Sequence, residues 1–382
     1  RKMRTGNTRK AMKEENRKQN ESEQLTMRDL TVGYDRIPLI KNINLSVRPG
    51  EILTLIGPNG SGKSTILKTI TKQLKTIGGS VFLGKESMQE LTDCEISRQL
   101  SMVMTERIHT ELLSGRDVVA TGRYPYTGRL GILSDKDWEK VDEAIALVHA
   151  GEVQQQDFRK ISDGQRQRLM LARAICQDTQ ILVLDEPTSY LDMGFKLDIL
   201  ANIRMLARKK KLAIIMSLHE LDLAQKISDT IACVKEDRID RIGTPEEIFT
   251  GDYVQQLYGV QACNFDPQTG QMFLDKPQGK PRVFVIGGGG AGIAVYNRLQ
   301  RENIPFAVGI LQENDVEFAT AKALATQVIS MEAFAPITEE KVIRAKQQID
   351  CCERCICAVK QFGLYNEANR KLLEYARQAG KI

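Results

Sequence analysis

The run Gly57-Pro-Asn-Gly-Ser-Gly-Lys-Ser-Thr65 has the makings of a phosphate cradle. Gly57, Gly60 and Gly62 let successive backbone N–H groups turn toward one anion, with Pro58, Asn59 and Ser61 completing the turn. Lys63 can reach the β- and γ-phosphates of a nucleotide and Ser64 can ligate Mg²⁺, while Thr65 leads into a helix whose positive end faces the anion. A second chemical group stands far along the chain, where Ile181-Leu-Val-Leu-Asp-Glu-Pro187 closes an apolar run with two adjacent carboxylates. Asp185 is placed to hold Mg²⁺ directly or through water, and Glu186 to polarise a water aimed at the γ-phosphate, since phosphoryl transfer needs positioning and charge stabilisation above all. The bland alternative, a solvated acidic turn, is disfavoured by a phosphate loop in the same chain.

These groups need a scaffold, and the apolar pattern supplies one. Glu51–Ile56 reads as a buried strand feeding the glycine loop, and Ile66–Ile70 as the helix that follows. Ile181–Leu184 and Ala213–Met216 are short, wholly apolar runs of the kind found in central strands of a parallel sheet. Between Lys85 and Lys160 the texture is charge-rich, with helices expected around Glu86–Leu100, Arg116–Thr121 and Asp135–Ala150, and it reads as an inserted helical subdomain. The expected fold class is α/β, a P-loop NTPase domain over residues 25–265 with the helical subdomain at about 85–160.

With 382 residues the chain is long enough for two domains. Pro- and Gly-rich turns at 266–281 mark a linker, and beyond it four strand–helix units in 282–382 suggest a smaller, doubly wound parallel α/β domain. Residues 1–24 hold eight basic against four acidic side chains and almost no large apolar ones, which fits a flexible basic tail or an arm resting on an anionic membrane. That tail accounts for most of the net charge of +5, so the remainder is near neutral and no nucleic-acid partner is expected. No window reaches the roughly 18 apolar residues of a bilayer span, so the chain is expected to be soluble and cytosolic.

Ile161-Ser-Asp-Gly-Gln-Arg-Gln-Arg168, upstream of the acidic strand, resembles the signature loop of ATP-binding-cassette (ABC) ATPases. Ser162, Gly164 and Gln165 match that pattern, while Asp163 replaces a glycine. In the family this loop meets the γ-phosphate held by a partner subunit, and a carboxylate there repels the anion unless it points away or meets a cation. The resemblance covers about residues 25–260 and implies further roles. Asp192 falls in the D-loop at the dimer interface, His219 becomes the switch histidine that senses the γ-phosphate, and Tyr34 stacks on adenine. Thr105 and Glu106 stand where a glutamine normally touches Mg²⁺ and water. The resemblance implies a homodimer sandwiching two ATP molecules with Mg²⁺, working at the cytoplasmic face of the membrane with a polytopic permease. Arg116–Gly128, with its Gly122-Arg-Tyr-Pro-Tyr126 stretch, is similar to importer ATPases for ferric siderophores, haem and cobalamin, in which the permease docks on the helical subdomain and a separate binding protein delivers the cargo. A soluble ABC protein acting on ribosomes or DNA is the alternative; it usually carries two cassettes or a long coiled-coil insertion, and neither is present.

In the second domain Gly287, Gly289 and Gly292 follow a strand and precede a helix in the G-x-G-x-x-G arrangement. A nucleotide-binding regulatory site, a tight structural turn and a catalytic NAD or FAD site all fit, and the acid expected after the second strand is offered only by Glu313 or Asp315. The cluster Cys351, Cys352, Cys355 and Cys357 reads as buried thiols, or as a metal- or redox-sensing group.

Overall fold

The computed structural model describes residues 23–104, 112–128, 131–250, 252–259, 264–266 and 271–382. Two compact units divide between Tyr253 and Val254. Thr105 and Glu106, and the tail up to residue 22, lie outside the described residues.

The first unit is built on a six-stranded sheet in the order β10-β9-β3-β8-β7-β6, with β3 Ile52–Ile56, β6 Leu100–Val103, β7 Ile181–Asp185, β8 Ala213–Ser217, β9 Thr230–Lys235 and β10 Arg238–Gly243. All neighbours run parallel except the β9–β10 pair. Every residue of β3, β7 and β8 is buried, which is why these runs are apolar on both faces of the sheet. Ser217 at the end of β8 is in register with Leu55 on one side and Asp185 on the other, so the loops leaving all three strands meet at one edge. An antiparallel sheet, β2-β1-β4-β5, adds β1 Leu25–Tyr34, β2 Ile37–Val47, β4 Gly78–Leu83 and β5 Glu86–Ser87, and places Tyr34 at the end of β1.

The helical region departs from expectation at its start. Glu86–Leu100 is not one helix: Glu86 and Ser87 form β5, and the helix Asp93–Gln99 starts only after Thr92, whose hydroxyl accepts from Glu95 N while the Glu95 carboxylate accepts from Thr92 N. Leu100–Val103, also inside the charge-rich span, is an edge strand of the main sheet paired with β7. The helices Gly115–Ala120 and Asp135–Leu147 are likewise started by reciprocal Ser–Asp caps at Ser114 and Ser134.

The second unit carries a hairpin, β11 Asn264–Asp266 with β12 Gln271–Phe273, and a wholly parallel sheet in the order β15-β14-β13-β16, with β13 Val283–Ile286, β14 Phe306–Gln312, β15 Gln327–Met331 and β16 Arg354–Cys357. Alternate residues sort to its two faces. Val283 and Val285 pack with Tyr296, Leu299 and Leu324, whereas Phe284 and Ile286 pack with Ile349, Leu372 and Ala376. Helices therefore cover both faces, the doubly wound arrangement expected. Among the described residues no helix is long and apolar enough to cross a membrane.

Candidate active site

The glycine loop leaves β3 and turns into the helix Lys63–Ile70. Glycine is demanded by both conformation and space at Gly57, where φ is 148° and a Cβ would sit 2.2 Å from Val234 O, and at Gly62, where φ is 96° and a Cβ would come within 2.6 Å of Ile40 Cδ1. Lys63 is buried and donates to Gly57 O at 2.8 Å and Pro58 O at 2.9 Å, which curls its ammonium back over the loop. Burial pulls the Lys63 pKa below the usual lysine value, an effect opposed by the nearby Glu186 and Asp185 carboxylates. Ser61 Oγ is buried with no hydrogen-bond partner among the described residues, a hydroxyl suited to a ligand oxygen.

Asp185, only 3% exposed, accepts from Ser64 Oγ at 3.1 Å and from Ser217 Oγ at 2.6 Å. A carboxylate and a hydroxyl this close form an all-oxygen donor pair of the kind Mg²⁺ prefers, so the residues present fit that ion. Glu186 follows at φ 50°, in the left-handed region, and this turn carries its carboxylate out of the strand. One Glu186 oxygen contacts His219 Nε2 and the other accepts from Ser189 Oγ at 3.0 Å. Tyr34 is 48% exposed, and its hydroxyl accepts from Thr65 Oγ1 at 3.3 Å. Tyr34, Asn59, Gly60, Gly62, Lys63, Ser64, Thr65, Glu186 and His219 together line one recess of about 590 Å³, in the size range of small-ligand sites. These nine of the expected residues are thus brought together from the ends of β1, β3, β7 and β8, whereas Gly57, Pro58, Ser61 and Asp185 do not line the recess.

The signature residues lie elsewhere. Ser162 caps the helix Asp163–Cys176, its Oγ accepting from Gln165 N at 3.2 Å while Gln165 Oε1 accepts from Ser162 N at 2.9 Å, and Gly164 lies against Leu191. None of Ser162, Asp163, Gly164 and Gln165 lines the recess. Asp163 is paired with Arg166 one turn along, so its charge meets a cation in its own helix. Asp192 caps the helix Met193–Lys210 through Phe195 N at 3.0 Å.

Two groups escaped the sequence reading. Ser217 was masked by its apolar strand, and its signal is a lone polar residue at the strand end, two places before His219. Glu220 ties the site together by accepting from Thr188 Oγ1 at 3.0 Å and pairing with Lys196 Nζ at 2.6 Å.

In the second unit Gly287, Gly289 and Gly292 form the turn between β13 and the helix Ile293–Arg301. Two of their N–H groups are taken by the protein itself: Gly289 N donates to Asp315 Oδ2 at 2.8 Å, and Gly292 N to Glu317 Oε2 at 2.7 Å. An anionic ligand there would have to displace a carboxylate. Among the described residues no group of three or more His, Cys, Asp or Glu is arranged to hold a metal. Cys352 and Cys355 are buried, Cys357 is half-buried and Cys351 is exposed. Burial pushes the Cys355 thiol up to about 12 and raises Cys352 and Cys357, which disfavours reactive thiolates.

Residues 40–189 match the ABC transporter family model and residues 306–382 that of the MJ0874 family. The chain is 38% identical over 288 residues to MJ0873 of Methanocaldococcus jannaschii, an uncharacterized ABC transporter ATP-binding protein, covering 75% of this chain and 99% of that one. It is 35% identical to the petrobactin import ATP-binding protein FpuD of Bacillus anthracis, across 68% of this chain and 94% of the relative. It is 29% identical to the cobalamin import ATP-binding protein BtuD of Halobacterium salinarum, across 79% of this chain and 77% of the relative. Among solved structures the ATP-binding cassette MJ0796, a dimer bound to ADP and Pi, shares the fold with a TM-score of 0.52 at 23% identity, over 58% of this chain and 98% of that one. With the phosphate loop, Glu186 and His219 gathered at one recess and Asp185 held beneath it by Ser64, the chain belongs to the ATP-binding subunits of ABC transporters, and it is an ATPase.

Proposed function

We propose that this ATPase energises the uptake of iron chelates, ferric siderophores in particular, through a separate polytopic permease. The observation that carries the reading is the match to importer subunits over nearly their whole length, FpuD among them. Two copies sandwich two ATP molecules, each recess being completed by Ser162–Gln165 of the other copy. Asp163 is tolerated beside the bound nucleotide because Arg166 already neutralises it.

In each recess Lys63 leaves the Gly57 and Pro58 carbonyls for the phosphates, and Tyr34 stacks on the base. Glu186 orients and polarises the attacking water, with His219 and Ser189 fixing its two oxygens. Bound at Ser64 and Asp185, Mg²⁺ would supply charge neutralisation for the phosphate chain. Hydrolysis reopens the dimer, and the permease reads the movement as a change of access.

The permease docks on a groove of about 760 Å³ lined by Ile96, Leu100, Met102, Val118, Tyr124 and Pro125 among others. Tyr124 and Pro125 come from the Gly122–Tyr126 stretch, and Tyr124 is 58% exposed, as a docking contact requires. The subunit then sits peripherally at the cytoplasmic face, and the cargo is delivered by a binding protein outside. A second reading, cobalamin import, is favoured by the length of the BtuD match, 308 residues against 259 for FpuD.

Uptake of radiolabelled ferric siderophore and of radiolabelled cobalamin, in cells carrying wild-type protein or Glu186→Gln at matched levels, tests the proposal. Loss of iron uptake alone supports the first reading and loss of cobalamin uptake alone the second. Unchanged uptake of both rejects import of either.

A further inference from the structure

We infer that Ser217 is a positioning residue for hydrolysis: a single hydroxyl that locks the metal-binding carboxylate and the water-activating carboxylate in their working geometry. Its Oγ donates to Asp185 Oδ1 at 2.6 Å and accepts from Glu186 N at 3.0 Å. Ser217 is wholly buried, so no water can take over either bond. Register explains how one side chain serves both groups, since Asp185 and Ser217 are direct partners across β7 and β8.

Each bond has a separate consequence. Asp185 Oδ1 accepts two hydroxyl bonds, from Ser64 and Ser217, and together they restrain rotation of the carboxylate. This lowers the freedom the carboxylate loses when an ion binds. The second bond acts on the backbone. Glu186 stands at φ 50°, a conformation an L-residue adopts only under constraint, and its N–H is anchored on Ser217 Oγ. Released from the anchor, Glu186 relaxes toward ordinary φ and its carboxylate swings from the line shared with His219. Ser217 is buried and does not line the recess, so it acts through Asp185 and Glu186.

This inference rests on the proposal that Mg²⁺ binds at Ser64 and Asp185. The full chain is compared as wild type, Ser217→Ala and Ser228→Ala. Ser228 is the control: its Oγ donates to Thr54 Oγ1 at 2.6 Å in the same unit, and the recess lining does not include it. Phosphate release is measured across a Mg²⁺ titration, and methylanthraniloyl-ATP binding is measured in EDTA. Loss of hydrogen bonds to charged or strained groups of this kind corresponds to about tenfold to hundredfold in rate. Ser217→Ala is therefore expected to lower kcat by that factor and to raise the half-saturating Mg²⁺ several-fold, with analogue binding in EDTA unchanged. Ser228→Ala should lower the melting temperature and leave the Mg²⁺ midpoint where it was. A Ser217→Ala profile matching that of Ser228→Ala overturns the inference, as does a parallel loss of analogue binding in EDTA. Wild-type hydrolysis independent of Mg²⁺ would reject the metal assignment itself, a failure distinguishable from an inert Ser217.

Discussion

Substituting Gly292 by alanine in the second unit should be far more damaging than the same change at Gly289, although both belong to one glycine pattern. Gly292 has φ −77°, so its backbone tolerates any residue. Its difficulty is space: a Cβ would lie 2.3 Å from Tyr296 Oη and 2.8 Å from Glu317 Oε1. Those two groups are wholly buried and joined by a 2.6 Å hydrogen bond, and Tyr296 is stacked on Phe306 with centroids 5.6 Å apart. The methyl therefore breaks a charge-assisted hydrogen bond, about 1.5–3 kcal/mol, and overpacks a closed core, about 1–3 kcal/mol more. The sum, roughly 2.5–6 kcal/mol, is a large part of the stability of a domain this size. At Gly289 the balance is reversed. Its φ is +64°, so alanine carries a left-handed strain of about 1–2 kcal/mol, but no atom lies within 4 Å of the added carbon. Hydrogen–deuterium exchange of peptides spanning 293–312 in the full chain reads the difference: Gly292→Ala should accelerate exchange about hundredfold or more, Gly289→Ala about tenfold. Trp138, the single tryptophan, lies in the first unit, so its fluorescence checks that the ATPase fold is intact. Equal acceleration in the two variants, or protection unchanged in Gly292→Ala, would refute the steric origin of the glycine.

Glu186→Gln should retain methylanthraniloyl-ATP binding and lose about 10²- to 10⁴-fold in phosphate release, measured under single turnover. Asp163→Gly should change the KM for ATP by less than about threefold, because Arg166 already offsets the carboxylate, whereas Arg166→Ala should raise it more, most visibly at low salt. Arg123→Met strips the buried Asp137 and the Cys176 carbonyl of a shared partner, Arg123 donating to each at 2.9 Å, and should destabilise the first unit by about 3–5 kcal/mol in urea titrations followed by Trp138 fluorescence. The Ser134 hydroxyl and N–H, followed by Arg123, hold the Asp137 carboxyl below its ordinary value. A folded-state value below the unfolded one means the contribution is complete above about pH 4 and is lost as pH falls further. Asp137→Asn should flatten that acid slope in urea midpoints recorded from pH 5 downward.

Where chemistry is carried by contiguous residues, it was legible. The phosphate loop needs glycines, a lysine and hydroxyls in one short run, and an all-buried strand needs an unbroken apolar run, so Gly57–Thr65 and Ile181–Glu186 announced both the site and its scaffold. Legibility fails where one side chain serves two distant segments. Ser217 reads as the polar end of an apolar strand, and only the register across β7 and β8 shows that it holds Asp185 and Glu186 together. The Glu86–Leu100 span fails for a local reason: its charges suit a helix surface, but the Thr92 cap offers its bonds to a helix beginning at Asp93, and pairing with Phe82 and Leu83 takes Ser87 and Glu86 into a strand.

The glycines of the second unit show how the same pattern can arise from a different cause. G-x-G-x-x-G selects for absent Cβ atoms, and absence is equally required by a pyrophosphate and by a buried Tyr–Glu pair pressed against the backbone. Here the carboxylates are internal: Asp315, one of the two acids the sequence offered, holds Gly289 N, and Glu317, just past it in the turn, holds Gly292 N. Glu317 also places its negative charge at the N-terminus of the helix Ile293–Arg301, where a phosphate would otherwise gain from the helix dipole. A loop so occupied discriminates by charge. Neutralising Glu317 by Glu317→Gln should keep the Tyr296 contact, remove the repulsion and raise the affinity of this turn for inorganic phosphate above that of the wild type. Phosphate titration of wild type and variant, followed by amide shifts of Gly289–Gly292, measures it. Equal shifts in the two proteins would show that the internal carboxylate is not what closes the turn to anions.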